Sequence, residues 1–377
     1  MDKKKLAQVI TLSEFGGAGK VLISIINNLP TDEFEITIIS GQGNEFTKWL
    51  NADIRHKIRH IQIPSLVRTI NPVKDLLALI TLFLHFRKEK YDIVHCHSSK
   101  AGVLGRIAAW YAGVKKIVFT VHGWGINDYQ KKLIRYIYIS LEKIAAKCCH
   151  KIVCVSENDK FIGFKYNIAS SDKIKVIYNG IEGFDDVKTG KLRKELSATN
   201  NDKFFGMVAR FSFQKSPLLF IQVAENIISK RQDLKFVLIG DGPDFSACEE
   251  YIRNKNLNEN IFLLGNRLNV KELLPDLDVF VLLSKWEGLP LSIIEAMFCG
   301  LPIIASDVGG NRELIEDGVN GFLVNHDINY ISDKIIHLYD NAELMKSIGK
   351  NNKEKAHKMF NIKSMVGNYI KVYIEGS

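Results

Sequence analysis

Short apolar runs alternate along this chain with longer stretches whose apolar positions recur every three or four residues. In the first half the runs predict strands near 6–12, 34–40, 92–96, 116–120, 151–155 and 174–177, with helical spacing at 18–29, 73–89, 101–112 and 130–148. In the second half strands are predicted near 204–209, 235–240, 261–264, 278–283, 302–305 and 321–324. Strands that alternate with helices in this way make parallel sheets with crossover helices, so the pattern predicts two doubly wound α/β units. Apolar periodicity lapses between Asn179 and Lys191, which places the hinge there. The apolar stretch Leu76–Phe86 falls well short of the ~20 residues that a membrane span requires and reads as a helix packed on a sheet. The lysine-rich start followed by Leu6–Leu12 mimics a leader peptide. Gln8 and Glu14 interrupt its apolar run and no small-residue cleavage site follows, so it reads as the first strand.

The chemistry gathers where predicted strands give way to helices. Glu287 lies in such a loop, Glu287-Gly-Leu-Pro-Leu-Ser-Ile-Ile-Glu295, with Glu295 inside the helix that follows. Ligands of open α/β sheets collect at this edge, where helix N-termini offer unpaired N–H groups to anions. The amides of Gly288, Leu289, Leu291 and Ser292 suit a diphosphate; Glu287 would accept from hydroxyls of a transferred sugar and Glu295 from a ribose. The spacing of two acids alone is commonplace. Upstream, however, Phe204-Phe-Gly-Met-Val-Ala-Arg210 ends a second strand in a cation, and Lys215 follows. Two fixed cations are what a departing nucleoside diphosphate needs as it gains charge. The glycine-rich loop Glu14-Phe-Gly16-Gly17-Ala-Gly-Lys20 fits neither the P-loop nor the dinucleotide pattern.

Taken together, Val208-Ala-Arg210-Phe-Ser-Phe-Gln-Lys215, Leu238-Ile-Gly-Asp-Gly242-Pro243, the Glu287–Glu295 segment and Asp307-Val-Gly309-Gly310-Asn-Arg-Glu313 through Gly321 resemble glycosyltransferase family 4. The resemblance implies the GT-B fold, two Rossmann-like domains facing across a deep cleft, and retaining transfer of a hexose or N-acetylhexosamine. It implies an acceptor-binding domain at 1–180, joined by a C-terminal helix at about 361–377 that crosses back onto it, and a donor-binding domain at 181–360. His122, in Phe119-Thr-Val-His122-Gly-Trp124-Gly, matches the family's active-site histidine, holding the donor sugar or the acceptor hydroxyl. Gly16 and Gly17 match the Gly-Gly that lies across from the donor phosphates. The turns at Gly242 and at Gly265-Asn266-Arg267 would border the donor, with backbone near Asn266 and Arg267 reading a uracil edge. The donor is therefore expected to be a UDP-sugar. No divalent metal is expected, because no Asp-x-Asp occurs on a strand edge and Arg210 with Lys215 can offset the diphosphate charge. His97-Ser98-Ser99-Lys100-Ala-Gly102 with Arg106 resembles the acceptor side of members that build bacterial surface polysaccharides on polyprenyl diphosphate. Ser98, Ser99 and Lys100 either bind an acceptor phosphate, or Ser99 simply caps the helix.

Charge refines the partners. Residues 1–180 carry a net +12 and residues 181–377 a net −3. The excess concentrates in Arg55, Lys57 and Arg59, in Arg87, Lys88 and Lys90, and in the aromatic-rich stretch Tyr129–Ile139 with Lys131, Lys132 and Arg135. That last stretch suits an anionic membrane surface or a lipid diphosphate, and the expected location is cytoplasmic, on the inner face of the membrane. Nucleic acid is discounted, since none of its recognition motifs is present. Six cysteines without a zinc-like pair read as buried thiols. His95-Cys96-His97 alternates between sheet faces and is not expected to hold a metal. A UDP-sugar epimerase or hydrolase of the same fold, and a non-catalytic sugar-nucleotide binder, are the competing readings.

Overall fold

The computed structural model describes residues 3–52, 58–184, 187–199, 201–231 and 233–375. The chain divides into two compact units, Met1–Gly180 with Ile362–Ser377, and Ile181–Asn361.

The first unit is a sheet of seven strands: β1 (Lys4–Ile10), β2 (Phe34–Ser40), β3 (Arg59–Gln62), β4 (Ile93–His97), β5 (Lys116–Val121), β6 (Lys151–Cys154) and β7 (Ile174–Val176). Their order is β3-β2-β1-β4-β5-β6-β7 and every pair is parallel. The order reverses between β1 and β4, which makes that point the natural ligand crevice of the unit. The central strands are covered on both faces and are almost wholly buried. β3 is the strand that periodicity did not predict. Its four residues, Arg-His-Ile-Gln, pair only with β2 and expose both ends, so no apolar run marks it. Arg59 is bonded to Glu89 at 2.9 Å; Arg55 and Lys57 lie outside the described residues.

Helix Pro72–Glu89 starts with Pro72 behind Asn71, whose side chain accepts from the Lys74 amide, and stops at Lys90 in the left-handed region. It buries only the stripe Ala78, Leu82 and Phe86. Leu76, Leu77, Ile80 and Leu84 remain exposed, so the expected helix forms but its apolar surface is mostly not core. The last helix, Ile362–Ile374, belongs to the first unit, where Tyr369 and Tyr373 are fully buried.

The second unit is a six-stranded parallel sheet: β8 (Lys203–Val208), β9 (Leu234–Ile239), β10 (Ile261–Leu263), β11 (Val279–Leu282), β12 (Ile303–Ser306) and β13 (Phe322–Val324). The order β10-β9-β8-β11-β12-β13 reverses between β8 and β11. One Asp-x-Asp does lie on a strand edge, Asp276-Leu-Asp278 before β11, contrary to the sequence reading. It serves the backbone: Asp276 accepts from the Gly190 and Leu192 amides and Asp278 from the Phe204 amide, with Lys188 at 2.8 Å. All six cysteines are free thiols, five of them buried. No helix among the described residues is long and apolar enough to cross a membrane.

Candidate active site

In the second unit the loops leaving β8, β9, β11 and β12 interlock at the outgoing strand edge. The loop after β8 is anchored by Phe211, fully buried, and turns through Ser216 at φ 50° into helix Pro217–Ile228. It is stitched to the loop after β11, with the Lys285 amide donating to the Gln214 carbonyl at 2.7 Å and the Gln214 side chain to the Trp286 carbonyl at 2.9 Å. Across that seam the Lys215 ammonium bonds directly to a Glu287 carboxylate oxygen. Glu287 is buried and Lys215 mostly so, and the pair stands where the sheet order reverses. Arg210 stays exposed beside it in sequence, with no ion pair among the described residues.

Glycines allow this close approach. A Cβ at Gly309, φ 48°, would fall 2.0 Å from the Glu287 carbonyl, and one at Gly310 would fall 1.8 Å from the Gly288 carbonyl. The loop after β12 therefore rests directly on the Glu287-Gly288 backbone, a support that sequence reading quoted in a motif without assigning it a task. A Cβ at Gly242 would meet the Phe211 carbonyl at 2.2 Å, so the turn after β9 fixes the loop that carries Arg210. Helix Leu291–Phe298 follows, with Pro290 at its cap and Glu295 buried in its second turn. Asn266 is exposed, whereas the Arg267 guanidinium is held by Glu195 and its Nε by the Leu264 carbonyl.

In the first unit the reversal between β1 and β4 gathers the loops after β1, β4 and β5. His122 follows β5, beside Gly123 at φ 97° and Trp124, whose indole donates to the Asp159 carbonyl at 2.6 Å. The His122 ring stacks on His97 at the end of β4, 5.3 Å between centroids, with Nε2 3.0 Å from His97 Nδ1. Desolvation lowers the His122 pKa to about 4, so the ring is neutral at pH 7.

The family model for Glycosyltransferase Family 4 matches residues 15–182, and that for Glycosyl transferases group 1 matches residues 188–355. An Escherichia coli UDP-Gal:alpha-D-GlcNAc-diphosphoundecaprenol alpha-1,3-galactosyltransferase is 36% identical over 99% of this chain and 97% of its own. The chain belongs to glycosyltransferase family 4. Among other relatives, the Staphylococcus aureus capsular polysaccharide biosynthesis glycosyltransferase CapM is 28% identical over 96% of this chain and 94% of its own. The structure of Anabaena HepE in complex with UDP and glucose superposes with a TM-score of 0.85, covering 99% of this chain and 100% of that one at 21% identity. The fold is therefore GT-B.

Within this family 4 enzyme the first-unit residues sort themselves by space. Gly16 caps helix Gly17–Asn28 and Gly17 opens it; both are exposed and a Cβ on either would meet nothing within 4 Å. The glycine the fold itself requires is Gly19, where a Cβ would lie 2.1 Å from the Glu14 carbonyl. Gly17→Ala is thus expected to leave the melting temperature unchanged or raise it, the stabilisation being at most about 1 kcal/mol. If a donor phosphate approaches there, turnover falls on the order of tenfold, ~1.4 kcal/mol. Melting curves beside kcat decide it: undiminished activity would remove Gly17 from the site.

Three acceptor-side expectations are corrected. Arg106 is fully buried, its Nη2 2.6 Å from Glu142 and its guanidinium 3.9 Å from the Phe119 ring centre, so it is a core residue. Ser99 begins helix Ser99–Tyr111 without capping it; the cap position is Ser98, with no side-chain capping bond. The Ser98 hydroxyl lies 2.6 Å from Thr11 Oγ1 and also meets the Thr11 amide, tying the β1 and β4 loops together instead of facing an acceptor phosphate. Ser98 does so at φ 64° and ψ 158°, a backbone state that costs about 1–3 kcal/mol outside glycine. Lys100 pairs with Asp75 at 2.6 Å.

Proposed function

We propose that the enzyme moves a hexosyl or N-acetylhexosaminyl group from a UDP-sugar, with retention at the anomeric carbon, to a glycan acceptor carried on polyprenyl diphosphate in surface polysaccharide synthesis. The observation that carries this reading is the Lys215–Glu287 pair at the reversal between β8 and β11, next to Arg210 and the N-terminus of helix Leu291–Phe298. Arg210 and Lys215 neutralise the departing diphosphate, and the amides of Gly288, Leu289, Leu291 and Ser292 receive its oxygens. Glu287 orients Lys215 and accepts from a sugar hydroxyl, Glu295 accepts from the ribose, and backbone near Asn266 and Arg267 borders the base. Gly16 and Gly17 leave their backbone clear of neighbouring atoms, and neutral His122 holds a reacting hydroxyl. With two cations on the leaving group, turnover is expected without a divalent metal. The leaving phosphate oxygen itself takes the acceptor's proton on the same face of the sugar, so positioning and electrostatics carry the catalysis.

The E. coli relative names the first substrates to try, UDP-galactose and a GlcNAc-diphosphoundecaprenol. Proton NMR of the product is expected to show an α-glycoside formed in EDTA. A β-linkage would sink the retaining mechanism, and free sugar without transfer would favour a hydrolase of the same fold.

The acceptor lipid is met at the inner leaflet of the cytoplasmic membrane. Helix Lys132–Lys147 turns Leu133, Tyr136, Ile137, Leu141 and Ile144 outward, and helix Pro72–Glu89 does the same with Val73, Leu76, Leu77, Ile80 and Leu84. Both pack against helix Ser99–Tyr111. Lys131, Lys132, Arg87, Lys88 and Lys90 are exposed around them, and apolar stripes edged with cations fit an anionic lipid surface. Each basic residue there contributes about 1 kcal/mol, screened by salt. Sedimentation with phosphatidylglycerol vesicles is expected to exceed that with neutral ones, to fall with salt and to fall again in Lys131→Glu/Lys132→Glu. Indifference to lipid charge would return these helices to solvent or to a protein partner.

A further inference from the structure

Behind His122 the first unit contains a continuous chain of buried polar groups that the proposed reaction does not use. Gln8 on β1, His95 and His97 on β4, Thr120 on β5, and Tyr369 and Tyr373 on the last helix are all fully buried. Register places Gln8 opposite His95 and His97 opposite Thr120, on one face of the sheet. The hydrogen bonds run from His122 Nε2 to His97 Nδ1 at 3.0 Å, and from His97 Nε2 to Gln8 Oε1 at 2.8 Å. They continue from Gln8 Nε2 to the Tyr373 hydroxyl at 3.2 Å, from there to His95 Nδ1 at 2.7 Å, from His95 Nε2 to Thr120 at 2.7 Å, and on to Tyr369 at 3.1 Å.

Donor and acceptor counting gives this chain a direction. Gln8 Oε1 can only accept, so His97 donates from Nε2. A neutral His97 that donates from Nε2 has a bare Nδ1, which must accept, so the proton between the two rings belongs to His122 Nε2. The neutral His122 ring then carries its lone pair on Nδ1, an atom with no protein partner among the described residues. On the other side, Gln8 donates to Tyr373, Tyr373 donates to His95 Nδ1, and His95 donates to Thr120. With the Gln8 amide oriented in this way, one arrangement satisfies every group, which is the condition under which a buried network specifies a single state.

We propose that Gln8 and His97 are positioning residues that hold His122 as its Nε2–H tautomer, presenting Nδ1 as an acceptor for a substrate hydroxyl. The assignment of the substrate hydroxyl rests on the reading of His122 as an active-site group; the tautomer itself does not. The last helix takes part through Tyr373, so the end of the chain sets the protonation pattern of a ring more than two hundred residues before it.

The test is nitrogen-15 NMR of the full-length protein labelled in histidine, with His122 assigned by the loss of its signals in His122→Gln. A protonated Nε2 and bare Nδ1 are expected at pH 7.5. Gln8→Met, nearly isosteric but without the amide, is expected to mix the tautomers and, by misplacing the hydroxyl that His122 holds, to lower kcat about tenfold. KM for the UDP-sugar should stay unchanged. Because a core variant can fail to fold, His97→Asn and His97→Leu form a second pair. Asn retains an acceptor near Nδ1 and should preserve the tautomer and much of kcat, whereas Leu should lose both. A protonated Nδ1 in the unmodified protein, or a tautomer unmoved by Gln8→Met and His97→Leu, overturns the relay. A shifted tautomer with full kcat overturns its part in turnover. Wild-type kcat in His122→Ala would instead remove the active-site reading of His122 while the NMR result still judges the relay.

Discussion

Arg210→Ala and Lys215→Ala are each expected to lose about 2–4 kcal/mol of transition-state stabilisation, roughly 30- to 900-fold in kcat/KM, as single electrostatic donors do elsewhere. Arg210 is exposed, so its loss should leave the melting temperature in place. Lys215 differs, because its removal strands the buried Glu287 carboxylate and part of its effect reaches stability. Glu287→Gln complements this, since it frees the ammonium and keeps the volume. The two side chains bond to each other, so the double variant Lys215→Ala/Glu287→Gln should cost no more than the worse single change. Full additivity would mean that the pair does not act as a unit. Activity near wild-type in either cation variant, dependent on added Mg²⁺, would place a metal on the leaving group and retire both cations from that task. Calorimetry with UDP extends the argument: Glu295→Ala should weaken UDP itself, while Glu287→Gln should act mainly on turnover.

Legibility in the sequence followed burial. Strands covered on both faces, such as Val279–Leu282, are continuous apolar runs and announce themselves. β3 escaped because an edge strand needs only backbone pairing, and Arg-His-Ile-Gln offers no pattern to detect. The helices Pro72–Glu89 and Lys132–Lys147 were legible as helices but not in their facing, since apolar residues that cover a core and apolar residues that face outward look alike in one dimension. Site positions stood out where a charge interrupts a strand edge, as with Arg210, Lys215 and Glu287. Arg106 misled for the opposite reason: its charge suggested an acceptor, yet Glu142 and Phe119 come to it from other elements. Nor did the sequence disclose the relay. Gln8 was visible as a polar break in the first strand and His97 as one of two close histidines, but a partner on a helix near the chain's end has no local signature.

Acidification is expected to destabilise the first unit well before carboxylates are protonated. His95 and His97 are completely buried, and desolvation drives the pKa of each well below 6.5; His122 falls to about 4 by the same cause. Such rings stay neutral in the folded chain while their unfolded counterparts take up protons as pH drops through about 6.5. The unfolded state then binds more protons, so stability is full above that value and falls with pH at about 1.4 kcal/mol per unit for each ring. For His122 the loss ends near pH 4, and for the other two it runs well below pH 6.5. The two fully buried rings account for at most about 4 kcal/mol between pH 7 and pH 5, set against the 5–15 kcal/mol typical of a domain. Trp49, Trp110 and Trp124 lie in the first unit and Trp286 in the second, so urea unfolding of Trp286→Phe followed by fluorescence reports the first unit alone. Its midpoint should fall steeply from pH 7 to pH 5, and His95→Gln, which removes one titrating ring, should flatten that slope. A midpoint independent of pH across this range would mean that the rings are solvated or already charged, and the neutral chain that links Gln8 to His122 could not then exist.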